Sequence, residues 1–385
     1  MISKNIHLPW TKYLIEATQA LYTSKIDLNI HIITKNLFVF DATSRCVIEQ
    51  VNVLEALGAN VKLYAERSAP EHQPYIISKE TIPCLKLSDT DVILFHYSIE
   101  DKFLDLILRL NCKKVLYYHG ITPPEFLTEG SEVRNECERG KKRLKDLESF
   151  DIFIANSNFN LNELFSGFVS KRLELGKIGF MIPPILSLKK WDNIEEEIIT
   201  ALQETISPCF LYIGRKFPHK NIEGLIKFFC LYYSKYKAGQ LIIAGHGFMP
   251  EYQSRLKEFV STFSNEIQDR IHFLNQVTEG QLKYLYKKCD FLLTFSRHEG
   301  FCVPIAEAYK FNKPVITHDT SALKETAGKP GIVVKVDDFE SATQITQETT
   351  LRATYKILVE EILKYYKEEL DDEVLLKNFI SIFLR

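Results

Sequence analysis

The sequence contains no C-x-x-C pair and no cysteine or histidine spacing suited to a metal. Its eight cysteines therefore read as reduced, mostly buried small hydrophobes, and neither redox nor zinc chemistry is expected. No uncharged apolar stretch approaches the length that a bilayer requires. Residues 1–28 carry His7, Trp10, Lys12 and Glu16 without a continuous apolar core, the wrong form for a secretory signal, so the expectation is a soluble, cytoplasmic protein. Excess charge is missing too: at a net charge of −2 the chain lacks the basic footprint of a nucleic-acid binder. With no internal repeat and no low-complexity tract, its halves can be alike only in architecture.

What is present centres on Ser296-Arg-His-Glu-Gly-Phe-Cys-Val-Pro-Ile-Ala-Glu307. Glu299 and Glu307 bracket a strand-to-helix turn, with Gly300 before it and Pro304 in the first helical turn. Glu299 then lies on the incoming loop and Glu307 about one turn into the helix. There a carboxylate can hold a diol bidentately, and the helix N-terminus attracts an anion. Diol plus phosphate describes a nucleotide sugar. Two glutamates so spaced are also common on ordinary surface helices, and the pattern gains weight from a second constellation upstream.

Cys209-Phe-Leu-Tyr-Ile213 reads as a buried strand ending at Gly214 and passing through Arg215-Lys-Phe-Pro-His-Lys220 into a helix that begins near Asn221. With Asn221 as N-cap, Arg215 and Lys220 surround another helix N-terminus and form a metal-free diphosphate clamp. An ordinary solvated Arg and Lys is the alternative reading of that loop.

Strands and helices alternate along the chain, the pattern of an α/β protein with parallel sheets covered on both faces. A first sheet takes residues 29–33, 61–65, 92–95, 115–118 and 152–155; a second takes 210–213, 240–244, 271–273, 291–294, 315–317 and 332–334. The length suits two domains. The division expected is 1–186, an interdomain segment 187–208 in which 194–203 can form a helix, 209–350, and two closing helices within 351–385. Ligand sites in such sheets lie beyond the C-terminal strand ends.

Further segments fall in a consistent order. They are Leu241-Ile-Ile-Ala-Gly245-His-Gly247, the helix around Leu282-Lys-Tyr-Leu-Tyr286 leading into Asp290-Phe-Leu-Leu-Thr-Phe-Ser296, the strand Lys313-Pro-Val-Ile-Thr317, and Glu325 before Ala327-Gly328. In the N-terminal half stand Tyr118-His119-Gly-Ile-Thr-Pro-Pro-Glu-Phe126 and Ala155-Asn-Ser157-Asn-Phe159. Together with the clamp and the glutamate pair, the set resembles the retaining glycosyltransferases of the GT-B fold, family 4. In these enzymes two Rossmann-like domains face each other across a cleft. The N-terminal segments look like a bacterial branch that builds surface polysaccharides or glycolipids.

The resemblance implies transfer of a hexose from a nucleoside-diphosphate sugar, UDP- or GDP-linked, to a hydroxyl of a glycan, glycolipid or other acceptor, with retention and without a metal or other cofactor. It implies that Gly214, Arg215 and Lys220 bind the diphosphate and Glu307 the ribose. Glu299, Gly300, Phe301, Cys302 and Val303 would hold the donor sugar, joined by His119. The loop Asp41-Ala-Thr-Ser44 resembles the family's segment near diphosphate and acceptor, which would make Ser44 a nucleotide contact; helix N-capping by Thr43 or Ser44 accounts for it equally well. His96 is expected to be structural. It further implies closing helices that cross back to the first domain.

Two departures stand out. Cys302 replaces a usual glycine and loses freedom for positive φ, and Gly120 stands where Asn is frequent. A non-catalytic binding or assembly protein on the same fold is the alternative. A nicotinamide enzyme is a weak rival, because Gly245-His-Gly247 lacks a third glycine. Asp89-Thr-Asp91, before a strand rather than after it, reads as a turn, not a metal motif. Lys141, Lys142, Arg143 and Lys145 offer a peripheral membrane contact at the inner face, or a solvated helix face. Oligomeric state is not legible.

Overall fold

The computed structural model describes residues 11–22, 26–39, 41–169, 178–204, 206–247 and 249–384; His7 and Trp10 lie outside them. The chain forms two compact units, Met1–Lys190 with Asp372–Arg385, and Trp191–Asp371.

The first unit holds a seven-stranded parallel sheet: β1 (Asn29–Leu37), β2 (Asn60–Ser68), β3 (Ile77–Ser78), β4 (Asp91–Tyr97), β5 (Lys113–Tyr118), β6 (Ile152–Ala155) and β7 (Ile178–Met181), in the order β3-β2-β1-β4-β5-β6-β7. Side chains alternate across it, as the two-residue period of a strand dictates. Val92 and Leu94 join a core with Val47, Val51 and Leu54 of the helix Ala42–Ala56, while Ile93 and Phe95 join the opposite core with Phe103, Leu104, Phe150 and Leu164. Both faces are covered, which is why β4 is buried along its whole length. The helix Asp372–Ile380 adds Leu376, Phe379 and Ile380 to the first of these cores. Its first residue, buried Asp372, accepts hydrogen bonds from the Leu188 and Lys189 amides at 2.9 and 2.8 Å.

The second unit holds a six-stranded parallel sheet: β8 (Cys209–Ile213), β9 (Gln240–Ala244), β10 (Ile271–Leu274), β11 (Phe291–Thr294), β12 (Val315–His318) and β13 (Ile332–Val334), in the order β10-β9-β8-β11-β12-β13. This repeats the order of the first six strands of the other unit, without a sequence repeat to announce it. In both sheets the order reverses beside the first strand, between β1 and β4 and between β8 and β11. Ligands of doubly wound sheets bind at such switch points.

The expected helix over 194–203 does not form; a single 3₁₀ turn, Thr200–Leu202, is all that appears. The segment is instead drawn out along the helix Glu279–Lys288. Lys283 Nζ donates to the Trp191 and Ile194 carbonyls at 2.6 and 2.7 Å, and Thr278 Oγ1 and Gln281 Nε2 donate to the Glu197 carboxylate at 2.6 and 2.9 Å. The short β3 and β7 are additions to the expected strands.

Among the described residues no helix is long and apolar enough to cross a membrane. In the basic patch, Arg143 pairs with Asp105 and Asp146, and Lys141 lies 3.3 Å from Glu163. These partners favour the solvated-face reading. Asp91 accepts from the Ser88 amide and hydroxyl at 2.6 and 2.7 Å, which is the turn expected there. All eight cysteines are free thiols.

Candidate functional site

The loops after β8 and β11 leave the sheet side by side at its switch point. After β8 the chain turns at Gly214, whose amide donates to the Ala244 carbonyl at 3.0 Å. Gly245, at the end of β9, has φ +143, and a β-carbon there would lie 1.9 Å from the Gly214 carbonyl oxygen. Only glycine lets the two strand ends approach this closely.

Within Arg215–Lys220 the cations separate by environment. Lys216 turns inward, where Nζ donates to the Leu274 carbonyl at 2.8 Å; burial, helped by the charge of Lys257, brings its ammonium down to about 8. Arg215 is exposed, with its guanidinium 5.4 Å from the centre of the Phe217 ring. Lys220 ends the 3₁₀ turn Pro218–Lys220, and its ammonium meets Glu299 Oε1 at 2.6 Å.

Asn221 does not cap the helix Ile222–Tyr236 in the manner expected. It adopts the left-handed conformation, φ +54, and its side chain donates to the Phe295 carbonyl at 3.0 Å. The amide thus ties the β8 loop to the end of β11. A second tie runs from the Arg297 amide to the His219 carbonyl at 2.7 Å.

On the β11 loop, Glu299 is held from three sides. Oε1 accepts from Lys220 and from Ser296 Oγ at 2.8 Å, and the Glu299 amide donates to Ser321 Oγ at 2.9 Å. Burial pushes its acidity toward the protonated form, but the Lys220 charge and the bonds from Lys220 and Ser296 outweigh burial, so the carboxyl lies below its ordinary range. The loop continues through half-buried Gly300 and buried Phe301 to Cys302, which caps the helix Val303–Lys310. Cys302 takes φ +73 despite its side chain, so the backbone keeps the conformation for which glycine is the easier residue. Its thiol lies 3.8 Å from Thr294 Oγ1, and burial holds it far above an ordinary cysteine.

Glu307 follows about one turn into that helix and is buried; Tyr286 donates its hydroxyl to Oε2 at 2.7 Å. Tyr286 is stacked on Phe311, with ring centroids 5.4 Å apart. Sequence reasoning named the helix carrying Tyr286 but not its bond to Glu307. Ser296 and Ser321 were missed as well, since a serine hydroxyl leaves no pattern in sequence. Among the described residues no three His, Cys, Asp or Glu side chains come together to hold a metal.

In the first unit, His119 directly follows β5. Its amide donates to the Tyr97 carbonyl at 3.0 Å, its ring stacks on Tyr117 at 4.6 Å, and Nε2 lies 2.9 Å from His96 Nδ1. Burial, opposed by the charge of Asp41, lowers its pKa to about 4, so the ring is neutral at pH 7. His96, expected to be structural, is buried and hydrogen-bonded to it. Gly120 has φ +82, and a β-carbon there would lie 2.5 Å from the Asn160 amide oxygen, so a side chain at this position requires the Asn160 side chain to move.

Neither Thr43 nor Ser44 caps the helix Ala42–Ala56 as the alternative expected; Asp41 is its N-cap. Asp41 Oδ2 accepts from the Ser44 amide and hydroxyl at 2.9 and 2.8 Å, and Ser44 Oγ accepts from the Phe38 amide at 2.9 Å. Fully buried and so engaged, its hydroxyl is not presented to a nucleotide.

Residues 194–348, which carry the clamp and both glutamates, match the family described as glycosyl transferases group 1. Over these residues the chain is similar to that family. The chain is 30% identical over 166 residues to the O-antigen chain mannosyltransferase RfbU of Salmonella typhimurium, an alignment covering 40% of this chain and 45% of that protein. It thus spans less than half the length of this curated relative. The fold is GT-B. Sucrose-phosphate synthase from Thermosynechococcus elongatus superimposes with TM-score 0.69 at 17% identity, over 93% of this chain and 98% of that one. Anabaena HepE, solved with UDP and glucose, gives 0.66 at 14% identity over 93% and 99%.

Proposed function

We propose that this chain is a retaining glycosyltransferase of group 1. It moves a hexose from a nucleoside-diphosphate sugar to a hydroxyl of a bacterial surface polysaccharide. Mannose is the first sugar to test, because the O-antigen relative is a mannosyltransferase. The observation that carries the reading is the contact of Lys220 with Glu299 at the switch point, 2.6 Å long, with Glu307 one turn further on.

An ammonium has three donors. With one on Glu299, Lys220 has two for a diphosphate, and Arg215 on the same loop adds a second cation. As the bond from the anomeric carbon to the diphosphate breaks, negative charge grows on the leaving oxygen, and fixed cations stabilise it most at that point. The new bond forms between the anomeric carbon and the acceptor oxygen, whose proton passes to the departing phosphate; no protein nucleophile is required. Both hydrogen bonds recorded to the Glu299 carboxylate fall on Oε1, which leaves Oε2 for sugar hydroxyls. Glu307, oriented by Tyr286, takes the ribose diol. Gly300, Phe301, Cys302 and Val303 line the sugar, and His119 is taken as a further sugar contact on the family resemblance. The reading needs no metal.

The test is thermal stability with UDP, GDP and ADP, followed by turnover of UDP-glucose and GDP-mannose. A ligand at about a hundred times its Kd stabilises by roughly 2.7 kcal/mol. One nucleoside diphosphate should raise the melting temperature in wild type and not in Arg215→Ala, and donor turnover should collapse in Glu299→Ala with the fold intact. Binding without turnover of any donor, in the presence of bacterial glycan acceptors, would favour the assembly role instead.

A further inference from the structure

We infer that His96 fixes the tautomer of His119, keeping the proton on His119 Nδ1 so that this ring acts as a hydrogen-bond donor. The inference rests on the reading that His119 meets the donor sugar.

The two rings are joined through His96 Nδ1 and His119 Nε2 at 2.9 Å and lie nearly parallel, 21° apart. Both are buried, and burial holds both well on the neutral side of an ordinary histidine. Each ring then carries one proton, and the bond between them needs one donor and one acceptor. The second nitrogen of His96 decides the direction. Nε2 is buried and has no hydrogen-bond partner among the described residues. If His119 donated, the His96 proton would have to sit on Nε2, as a buried N–H with no acceptor. Orphaned buried N–H groups are rare, and bare acceptors are tolerated more readily. The proton of His96 therefore sits on Nδ1 and is donated to His119 Nε2, and the His119 proton is left on Nδ1.

The arrangement is held in place from both sides. His96 lies within β4 and stacks on Tyr117, with centroids 5.3 Å apart and planes 10° apart. The Asp41 carboxylate, which raises the proton affinity of His119, favours a polarised N–H on the nitrogen that His96 does not occupy. His96 is thus a positioning residue. It does not touch substrate; it makes His119 offer a proton to a sugar oxygen instead of accepting one.

Long-range ¹H–¹⁵N correlation spectra of the full chain, labelled at histidine and assigned with His96→Asn and His119→Asn, read the tautomers directly. Expected at pH 7.5 is a proton on Nδ1 of both His96 and His119. A proton on His119 Nε2 would overturn the inference, and so would an unchanged His119 tautomer in His96→Leu. A kinetic arm uses GDP-mannose and UDP-glucose as probes. Asn at 96 can place an amide donor near the position of Nδ1, so His96→Asn should stay within a few-fold of wild type. His96→Leu should lose roughly ten-fold in kcat/KM, the scale of one hydrogen bond. Equal losses in the two variants would count against the inference. If wild type turns over neither probe, the proposed function fails while the spectra still decide the tautomer.

Discussion

Lys220 and Glu299, 79 residues apart in sequence, meet at 2.6 Å with side chains only 17% and 13% exposed. Removing one partner leaves the other charge with little water to replace it. Lys220→Met should destabilise the protein at pH 7 by roughly 2–4 kcal/mol, and Lys220→Met with Glu299→Gln by less than the two single changes together. The sign of the pH dependence follows from the lowered pKa of Glu299, whose ordinary value is 4.5. Its stabilising contribution is complete above that value and is lost as pH falls through the lower folded value. Urea melts at pH 7 and pH 3.5 check this; a gap between wild type and Lys220→Met that does not narrow in acid would rule it out.

Gly245 carries a second, purely steric prediction. A methyl group there would start 1.9 Å from the Gly214 carbonyl oxygen, backbone against backbone, with no flexible side chain to move aside. Gly245→Ala should cost about 3 kcal/mol or more by chemical denaturation. By displacing Gly214 and Arg215 it should also weaken nucleotide binding. Gly130→Ala, where nothing lies within 4 Å of the added carbon, is the control for left-handed strain without collision.

All strands but β3 and β7 were legible because each is a short apolar run closed by Gly, Pro or a polar turn, and burial on both faces makes such runs continuous. Glu299 and Glu307 were legible for a related reason: strand, turn and helix fix where they stand. Asn221 was not. Its residue type suits an N-cap, but the Phe295 carbonyl 74 residues away competes for the same amide, and tertiary contact overrides local preference. Residues 194–203 fail as a helix in the same way, because Lys283 and Gln281 supply partners that only the fold brings near. The His96–His119 pair depends on β4 and β5 lying side by side, which no local spacing reveals.

Cys302 tests how much the site tolerates a side chain at positive φ. At φ +73, ψ 72 an L-residue is strained by about 1 kcal/mol, which glycine would relieve, while glycine costs about 0.5–1 kcal/mol through the freedom it adds to the unfolded chain. Cys302→Gly should therefore fall within about 0.5 kcal/mol of wild type, and Cys302→Val, branched at the β-carbon, should be at least about 1 kcal/mol worse. Denaturant midpoints of the three proteins decide it. A Val variant as stable as wild type would show that the left-handed turn relaxes.

Lys216 adds a second pH-dependent contribution of the same sign as that of Glu299 but at higher pH and from the opposite cause, since here burial disfavours the charged form. Its ammonium is almost fully buried, with the Leu274 carbonyl as its recorded hydrogen-bond acceptor, and burial together with the Lys257 charge lowers it to about 8 from 10.5. Between those two values the unfolded chain binds more protons at this position than the folded protein does, so folding is favoured increasingly as pH rises through the window. Below about 8 the charge is present in both states, and its burial is a standing cost. Lys216→Met lacks the proton altogether and should show none of this dependence, though it also gives up the bond to Leu274. The stability of wild type minus that of Lys216→Met, from urea melts at half-unit steps, should be flat from pH 6.5 to 7.5 and climb between 8 and 10.5. A difference that stays level or falls across that window would mean that Lys216 keeps its charge inside the fold, stabilised by groups other than the Leu274 carbonyl.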